Sequence, residues 1–264
     1  MRDAKHDGAN GAILETRDLT KHYGGVHALE GADFTLLRGE HVAIMGDNGA
    51  GKSTFVRQIT GVEQPTRGEI VFDGQPVHFA GPIEAREAGI ETVFQTLALA
   101  DELNVPDNLF LGREKIRLNL GPFSILDYRG MREATLASLE RTAVKIPNIR
   151  NTIRNMSGGQ RQCVAIARTA TFHSKLTIMD EPTAALGVQE TAQVENIVKT
   201  LKEAGEPLIL ISHNMRQVFD LADRIVVFRR GRIVANLMKE DTDGQDVVAY
   251  ITGAKTQDGY EAGT

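Results

Sequence analysis

A single cysteine, Cys163, stands among the 264 residues of this chain. That scarcity excludes a disulfide within the chain and any zinc cluster built on several thiolates. It fits a reducing, cytoplasmic compartment. No apolar run approaches the roughly 20 residues a helix needs to span a bilayer, so any work at a membrane is expected to go through a partner. The opening stretch MRDAKHDGANG lacks the apolar core of a signal peptide. A basic excess is missing too: the net charge is −5, which argues against a general nucleic-acid binder. No internal repeat is found. What is present is ordinary, with 41% hydrophobic and 25% charged residues, and this excludes disorder over most of the chain. The length suffices for one large α/β domain with a full core, or for two small ones.

Residues 1–11 read as a flexible polar tail. The segments 13–19 and 32–37 read as strands, and HVAIMG (41–46) is a short continuous apolar run of the kind shown by a buried parallel strand. A helix is expected over 52–61, closed by glycine. EIVFDGQPV places Asp73-Gly74 between apolar residues, a hairpin signal, and IETVFQ (90–95) is a further strand. From 96 the pattern turns mostly helical, and the segment to about 160 reads as an α-helical insertion in an α/β core. Then GGQRQCVAIARTA is helical, KLTIMD and PLILIS are buried strands, and VQETAQVENIVKTLKEAG is the helix between them. A short helix at 214–222 and a last hairpin, RIVVFRRGRIVANL, follow; 242–264 carry one short helical pattern, QDVVAYIT, and a tail. Alternating strands and helices predict a mainly parallel sheet.

Gly46, Gly51, Lys52 and Ser53 match G-x-x-x-x-G-K-[ST], with a strand before the match and a helix after it. Glycines let backbone N–H groups close around a polyphosphate. Lys52 then places a cation on the β- and γ-phosphates, the Ser53 hydroxyl can ligate Mg²⁺, and Thr54 assists from the next position. LTIMDE delivers Asp180 and Glu181 to a strand's C-terminal end, where open α/β sheets bind ligands. Asp180 would hold the magnesium and Glu181 would orient and polarise the attacking water. His213 ends LILISH and could touch a γ-phosphate or that water; Gln95 ends IETVFQ and could meet Mg²⁺ or water. A second anion grip appears in NMSGGQRQ, where Ser157, Gly158 and Gly159 stand just ahead of a helix. Cys163 shares a helix face with Ile166, Ala167 and Ala170 and reads as a core thiol.

Taken together in this order, the motifs resemble the nucleotide-binding subunit of an ATP-binding cassette (ABC) transporter over nearly the whole chain, about 13–237. The resemblance implies a P-loop NTPase core with a mainly parallel sheet, an N-terminal antiparallel β subdomain and an inserted α-helical subdomain, with the ATPase domain spanning 12–241. It makes Gly46 to Thr54 the Walker A loop, with Asn48, Gly49 and Ala50 among its ATP-binding residues. It makes Gln95 the Q-loop glutamine, and Ser157, Gly158, Gly159 and Gln160 the signature. Asp180 and Glu181 become Walker B and its catalytic glutamate, and His213 the switch histidine. Tyr23 stands where the family places an aromatic ring on adenine. ATP and Mg²⁺ are the implied cofactors. A second copy of the chain, two transmembrane permease subunits and, indirectly, a solute-binding protein outside the membrane are the implied partners, with the chain peripheral on the cytoplasmic face of the inner (plasma) membrane. Two departures stand out. Met156 replaces the common leucine before the signature serine, and Gly187 replaces the aspartate that helps the two protomers communicate.

The wording TAALGVQE with FQTLALADELNVPDNLFLGRE looks most like the monosaccharide-import branch (ribose, xylose or fructose type). A different cargo, such as an amino acid, is the alternative, and an ABC ATPase acting on nucleic acid or ribosomes is the alternative from another class. The latter usually carry paired cassettes, coiled-coil arms or zinc modules, for which the length and the one cysteine leave no room. A P-loop GTPase or small-molecule kinase would account for the first grip and not for the second, and no N-K-x-D motif is found.

Overall fold

The computed structural model describes residues 11–94, 96–119, 123–172, 174–184 and 186–257. Two long strands, β1 (Ala12–Tyr23) and β2 (Val26–Leu37), pair as an antiparallel hairpin around Gly24-Gly25. They extend further toward their shared turn than the sequence pattern indicates. The apolar strand β3 (His41–Met45), all of it buried, runs into α1 (Lys52–Ile59). That helix stops two residues short of Gly61, whose φ of 70° is the left-handed conformation that closes helices. Next, β4 (Arg67–Phe72) and β5 (Gln75–Val77) form the expected hairpin, with Asp73 and Gly74 both at positive φ (52° and 76°). Then come α2 (Pro82–Ala88) and β6 (Ile90–Val93).

Residues 93–174 begin with α3 (Val105–Phe110), capped by Asn104 with Pro106 in its first turn. A two-stranded hairpin, β7 (Ile116–Leu118) and β8 (Ile125–Leu126), follows; it was not foreseen, because three- and two-residue strands are too short to show a period. Then come α4 (Tyr128–Arg141), capped by Asp127, and α5 (Gly158–Thr171). The chain continues through β9 (Leu176–Asp180), α6 (Val188–Glu203), β10 (Leu208–Ile211), α7 (Met215–Leu221), β11 (Arg224–Arg229), β12 (Arg232–Met238) and α8 (Gly244–Thr252).

These elements form two units. The first comprises Met1–Thr92, Lys175–Asp180 and Ala204–Thr264. It holds an antiparallel sheet in the order β2-β1-β4-β5 and a six-stranded sheet in the order β12-β11-β3-β10-β9-β6. The centre of the second sheet is parallel; β3 and β10 are buried along their whole length and β9 up to Asp180, as strands covered on both faces are. Phe55 of α1 packs between Phe34 and Phe228, at ring-centroid distances of 5.2 and 5.5 Å, and ties α1 to both sheets. Val247 of α8 is fully buried with Val218, Val227 and Val234. The second unit comprises Val93–Ser174 and Glu181–Glu203. There α5 packs against α3, α4 and α6, with Cys163, Ile166, Ala167 and Ala170 buried, as a core face requires.

Candidate nucleotide site

The parallel register of the first unit sets which strand ends meet. Ile211 lies opposite Ile44 on one side and opposite Asp180 on the other. The loop after β3, Asp180 at the end of β9 and the turn after β10 therefore open at the same edge of the sheet, where α/β sheets take their ligands.

The first loop is built by close backbone approach. Gly46 has φ 146°, and a Cβ there would run into the Phe228 carbonyl of neighbouring β11. Gly51 has φ 103°, and a Cβ there would lie 2.9 Å from the Ala28 carbonyl and 3.1 Å from Gly231 Cα. Both positions thus need glycine for conformation and for space. Gly49, by contrast, has nothing within 4 Å of where its Cβ would be. Asn48, Gly49 and Ser53 are exposed, whereas Ala50 is buried and its carbonyl accepts from Gly231 N at 3.0 Å. Gly51 caps α1 without a side chain, so the first-turn N–H groups and the positive helix end face outward. Lys52 Nζ donates to the Gly46 and Asp47 carbonyls at 2.7 and 2.9 Å, which holds its charge over the mouth of the loop. Backbone donors at a helix start beside a lysine are the chemistry a polyphosphate requires.

Tyr23, at the end of β1, is half exposed and donates its hydroxyl to Glu63; Lys21 Nζ lies 5.3 Å from its ring centre. Partial burial, then the Glu63 carboxylate, push the phenol's pKa up, while Thr54 of the loop pulls the other way. The ring therefore stands neutral beside the phosphate loop. His213 is exposed on a turn that is itself fixed: buried Ser212 donates to Gln217 Oε1 at 2.8 Å and accepts from Asn214 N at 3.1 Å, and Asn214 caps α7. Glu181 follows Asp180 directly and takes φ 49°, a left-handed conformation that costs a non-glycine residue about 1–2 kcal/mol. Ala184 N donates back to the Glu181 carbonyl at 3.1 Å, which closes the turn. Gln95 lies outside the described residues.

The second grip belongs to the second unit and is described within it. Ser157 caps α5, and the cap is reciprocal: Gln160 N donates to Ser157 Oγ at 3.2 Å and Ser157 N to Gln160 Oε1 at 3.0 Å. The signal for this capping box was in plain view, since S-x-x-Q ahead of an apolar run is its sequence pattern. Gly158 is exposed, with only Leu186 Cδ2 at 3.8 Å from its would-be Cβ. Gly159 is buried, and a Cβ there would overlap the Cβ and Cγ of Glu190. Glu190, in the first turn of α6, also covers Gly187: its Oε2 lies 2.6 Å from where a Gly187 Cβ would be. Sequence reasoning missed Glu190, because only packing shows that one carboxylate side chain fills the space left by two glycines. Cys163 is buried, and desolvation pushes its thiol up to about 11, so it is neutral and unreactive.

A glycine cradle at a helix N-terminus, fed by a parallel strand, with an aspartate ending the strand two places away, defines a nucleoside-triphosphate-binding protein of the P-loop class. Comparison with known proteins narrows the class. The family described as ABC transporter matches residues 29–184, and the chain belongs to it, as one of its ATPases. It is 48% identical to the fructose import ATP-binding protein FrcA of Rhizobium meliloti, over 92% of this chain and 95% of that protein. It is 42% identical to the xylose/arabinose import ATP-binding protein XylG of Sulfolobus acidocaldarius, over 91% of this chain and 94% of that protein. Among solved structures it is similar to the ADP conformation of MJ1267, an ATP-binding cassette of an ABC transporter, with a TM-score of 0.78 and 26% identity over 93% of this chain and 96% of that one.

Proposed function

We propose that the chain is the ATP-hydrolysing subunit of a membrane importer for a monosaccharide, working as a pair of copies beneath two transmembrane permease subunits at the cytoplasmic face of the membrane. The observation that carries this reading is the presence of two helix-start anion grips in one chain, at α1 and at α5. Similarity to proteins named for fructose and xylose/arabinose import supports the cargo class. No helix among the described residues is long and apolar enough to cross a membrane, so the permeation path falls to other subunits. The second unit exposes Ile116, Leu118, Phe123 and Ile125 on and beside the β7–β8 hairpin, apolar surface suited to docking such subunits.

In this reading Lys52, Ser53, Thr54 and the loop amides from Gly46 to Gly51 hold the phosphates of ATP, and Tyr23 stacks on the adenine. Under two-fold symmetry each copy's Ser157 and Gly159 close over the nucleotide held by its partner, so both sites are completed together. Ser53 and Asp180 are oxygen donors of the kind Mg²⁺ takes, and the ion, when bound, would neutralise charge on the β- and γ-phosphates. Glu181 takes the proton of the attacking water as general base, a role worth on the order of 10²–10⁴ in rate. His213 and Gln95 sense the γ-phosphate. ATP drives the closure only to the extent that it binds the closed pair better than the open one.

The variant Glu181→Gln should bind ATP, hydrolyse it about 10²–10⁴-fold more slowly and run as an ATP-dependent dimer on a sizing column. Wild-type turnover would exclude Glu181 as the base. Adding Gly158→Asp should abolish the dimer and spare ATP binding. A Cβ at Gly158 meets only Leu186 Cδ2, at an ordinary contact distance of 3.8 Å, so a side chain can start there without a clash. Reconstitution with the permease and solute-binding protein and radiolabelled fructose, ribose and xylose tests the cargo; uptake of an amino acid instead would refute it.

A further inference from the structure

The β1–β2 hairpin carries a cluster that the nucleotide chemistry does not use. His22 and His27 are direct cross-strand partners, and their rings stack at 3.9 Å with 26° between planes. The same carboxylate oxygen, Glu30 Oε2, reaches both: it lies 2.7 Å from His22 Nε2 and 3.0 Å from His27 Nδ1. The three donor atoms lie within 4.8 Å of one another, the one group of three His, Cys, Asp or Glu with this property among the described residues. Glu30 itself is anchored, since its N–H donates to the Gly231 carbonyl at 2.8 Å; its other oxygen lies 3.8 Å from Arg67 Nη2.

We propose that His22, His27 and Glu30 form a binding site for a zinc-class divalent transition ion. Two imidazole nitrogens and one carboxylate oxygen are a donor set that zinc accepts with a water in the fourth position. Metal–ligand bonds of about 2.0–2.1 Å in a tetrahedron separate neighbouring donors by roughly 3.3 Å. The two N···O separations, 2.7 and 3.0 Å, are shorter than that, and the stacked rings must tilt toward a common point, so the ion enters as Glu30 moves outward and the two imidazoles rotate. The pairing register supplies the preorganisation, because the short turn at Gly24-Gly25 leaves His22 and His27 facing each other. A hard cation such as Mg²⁺ is a poor occupant, since it prefers oxygen ligands in an octahedron. Binding the ion takes a lone pair from each of the two imidazole nitrogens in place of their hydrogen bonds to Glu30. The ion would clamp the two strands immediately beside Tyr23, His22 being its neighbour in the chain.

The test is calorimetric titration of the full chain, stripped with a chelator and kept in excess Mg²⁺ without nucleotide, with Zn²⁺, and with Co²⁺ followed by its visible spectrum. One equivalent of each ion is expected, with a tetrahedral cobalt spectrum. His22→Ala and His27→Ala should each weaken this binding more than about 100-fold, beyond the cost of losing a mere supporting partner, while exposed His78→Ala leaves it unchanged. His27 lies on the outer side of the cluster, so its variant reads the site even if His22→Ala disturbs the hairpin. Absence of a stoichiometric site, or a site indifferent to both histidines, overturns the proposal.

Discussion

Glu190 offers a quantitative test of how the signature helix is held. Within the second unit its side chain occupies the space that Cβ atoms at Gly159 and Gly187 would need. Replacing Gly159 with alanine should gain up to about 1 kcal/mol of helix propensity. Overlap with the Glu190 stem should cost about 1–3 kcal/mol, because both helices are packed and the stem is not a free tip. The net expectation is a loss of roughly 0–2 kcal/mol. In a Glu190→Gly background both overlapping atoms, Cβ and Cγ, are gone and the same substitution becomes stabilising. The two changes should therefore couple by about 1–3 kcal/mol in a double-mutant cycle. Thermal unfolding of the four proteins reads this, at about 2–4 °C per kcal/mol for a chain of this size. Gly187→Asp, which would restore the family's usual acid, belongs to the same experiment. It sets a second carboxylate against Glu190, a repulsion of about 1 kcal/mol in water and about 4 kcal/mol at an effective dielectric of 20 for a 4 Å separation. The substitution should destabilise the chain, and Glu190→Gln should recover most of the loss. Additive behaviour at Gly159, or a Gly187→Asp protein as stable as its parent, would refute the assignment of Glu190 as the residue filling both gaps.

Three further outcomes are expected. Lys175 and then Arg38 hold the Asp73 carboxyl below its usual pKa; the stabilisation is therefore present at neutral pH, declines as pH falls below about 3.9 and is lost beneath the lowered folded value. Asp73→Asn, which keeps a residue tolerant of positive φ in the turn, should cost about 0.2–1 kcal/mol at pH 7 and nothing in strong acid, measured by denaturant titration at several pH values. Cys163, buried and with its thiol near 11, should react with an alkylating reagent at pH 7.5 only after denaturation; rapid labelling of the folded chain would contradict its place in the α5 core. Phe123→Asp on the exposed apolar surface should leave ATP binding by the isolated chain unchanged while weakening assembly with the proposed permease subunits, measured by co-purification from membranes.

Much of the molecule was legible from local pattern. Continuous apolar runs marked β3, β9 and β10 because buried parallel strands need apolar residues on both faces. The glycines of the first loop, with Lys52 behind them, were legible because the motif is a contiguous statement about backbone freedom and charge. Asp73-Gly74 announced its turn by the positive φ that both residues adopt. The β7–β8 hairpin was not legible, since strands of two and three residues carry no period. Nor was the true reach of β1, whose register is shifted in several places and breaks simple alternation.

By itself, then, the sequence determined the apolar runs of β3, β9 and β10, the glycines and lysine of the first loop and the acid that ends β9, because each rests on contiguous residues and on interactions of a few bonds' reach. The tertiary structure decided what depends on residues far apart meeting in space. Only the sheet register puts Asp180 level with Ile211 and Ile44. Only the approach of β11 explains why Gly46 can carry no side chain, and only the packing of α5 on α6 reveals Glu190 filling the space beside Gly159 and Gly187. The hairpin register alone brings His22 opposite His27, with Glu30 bonded to both. Side-chain identity is written along the chain, whereas the distances that turn identities into a site are set by long-range burial and pairing.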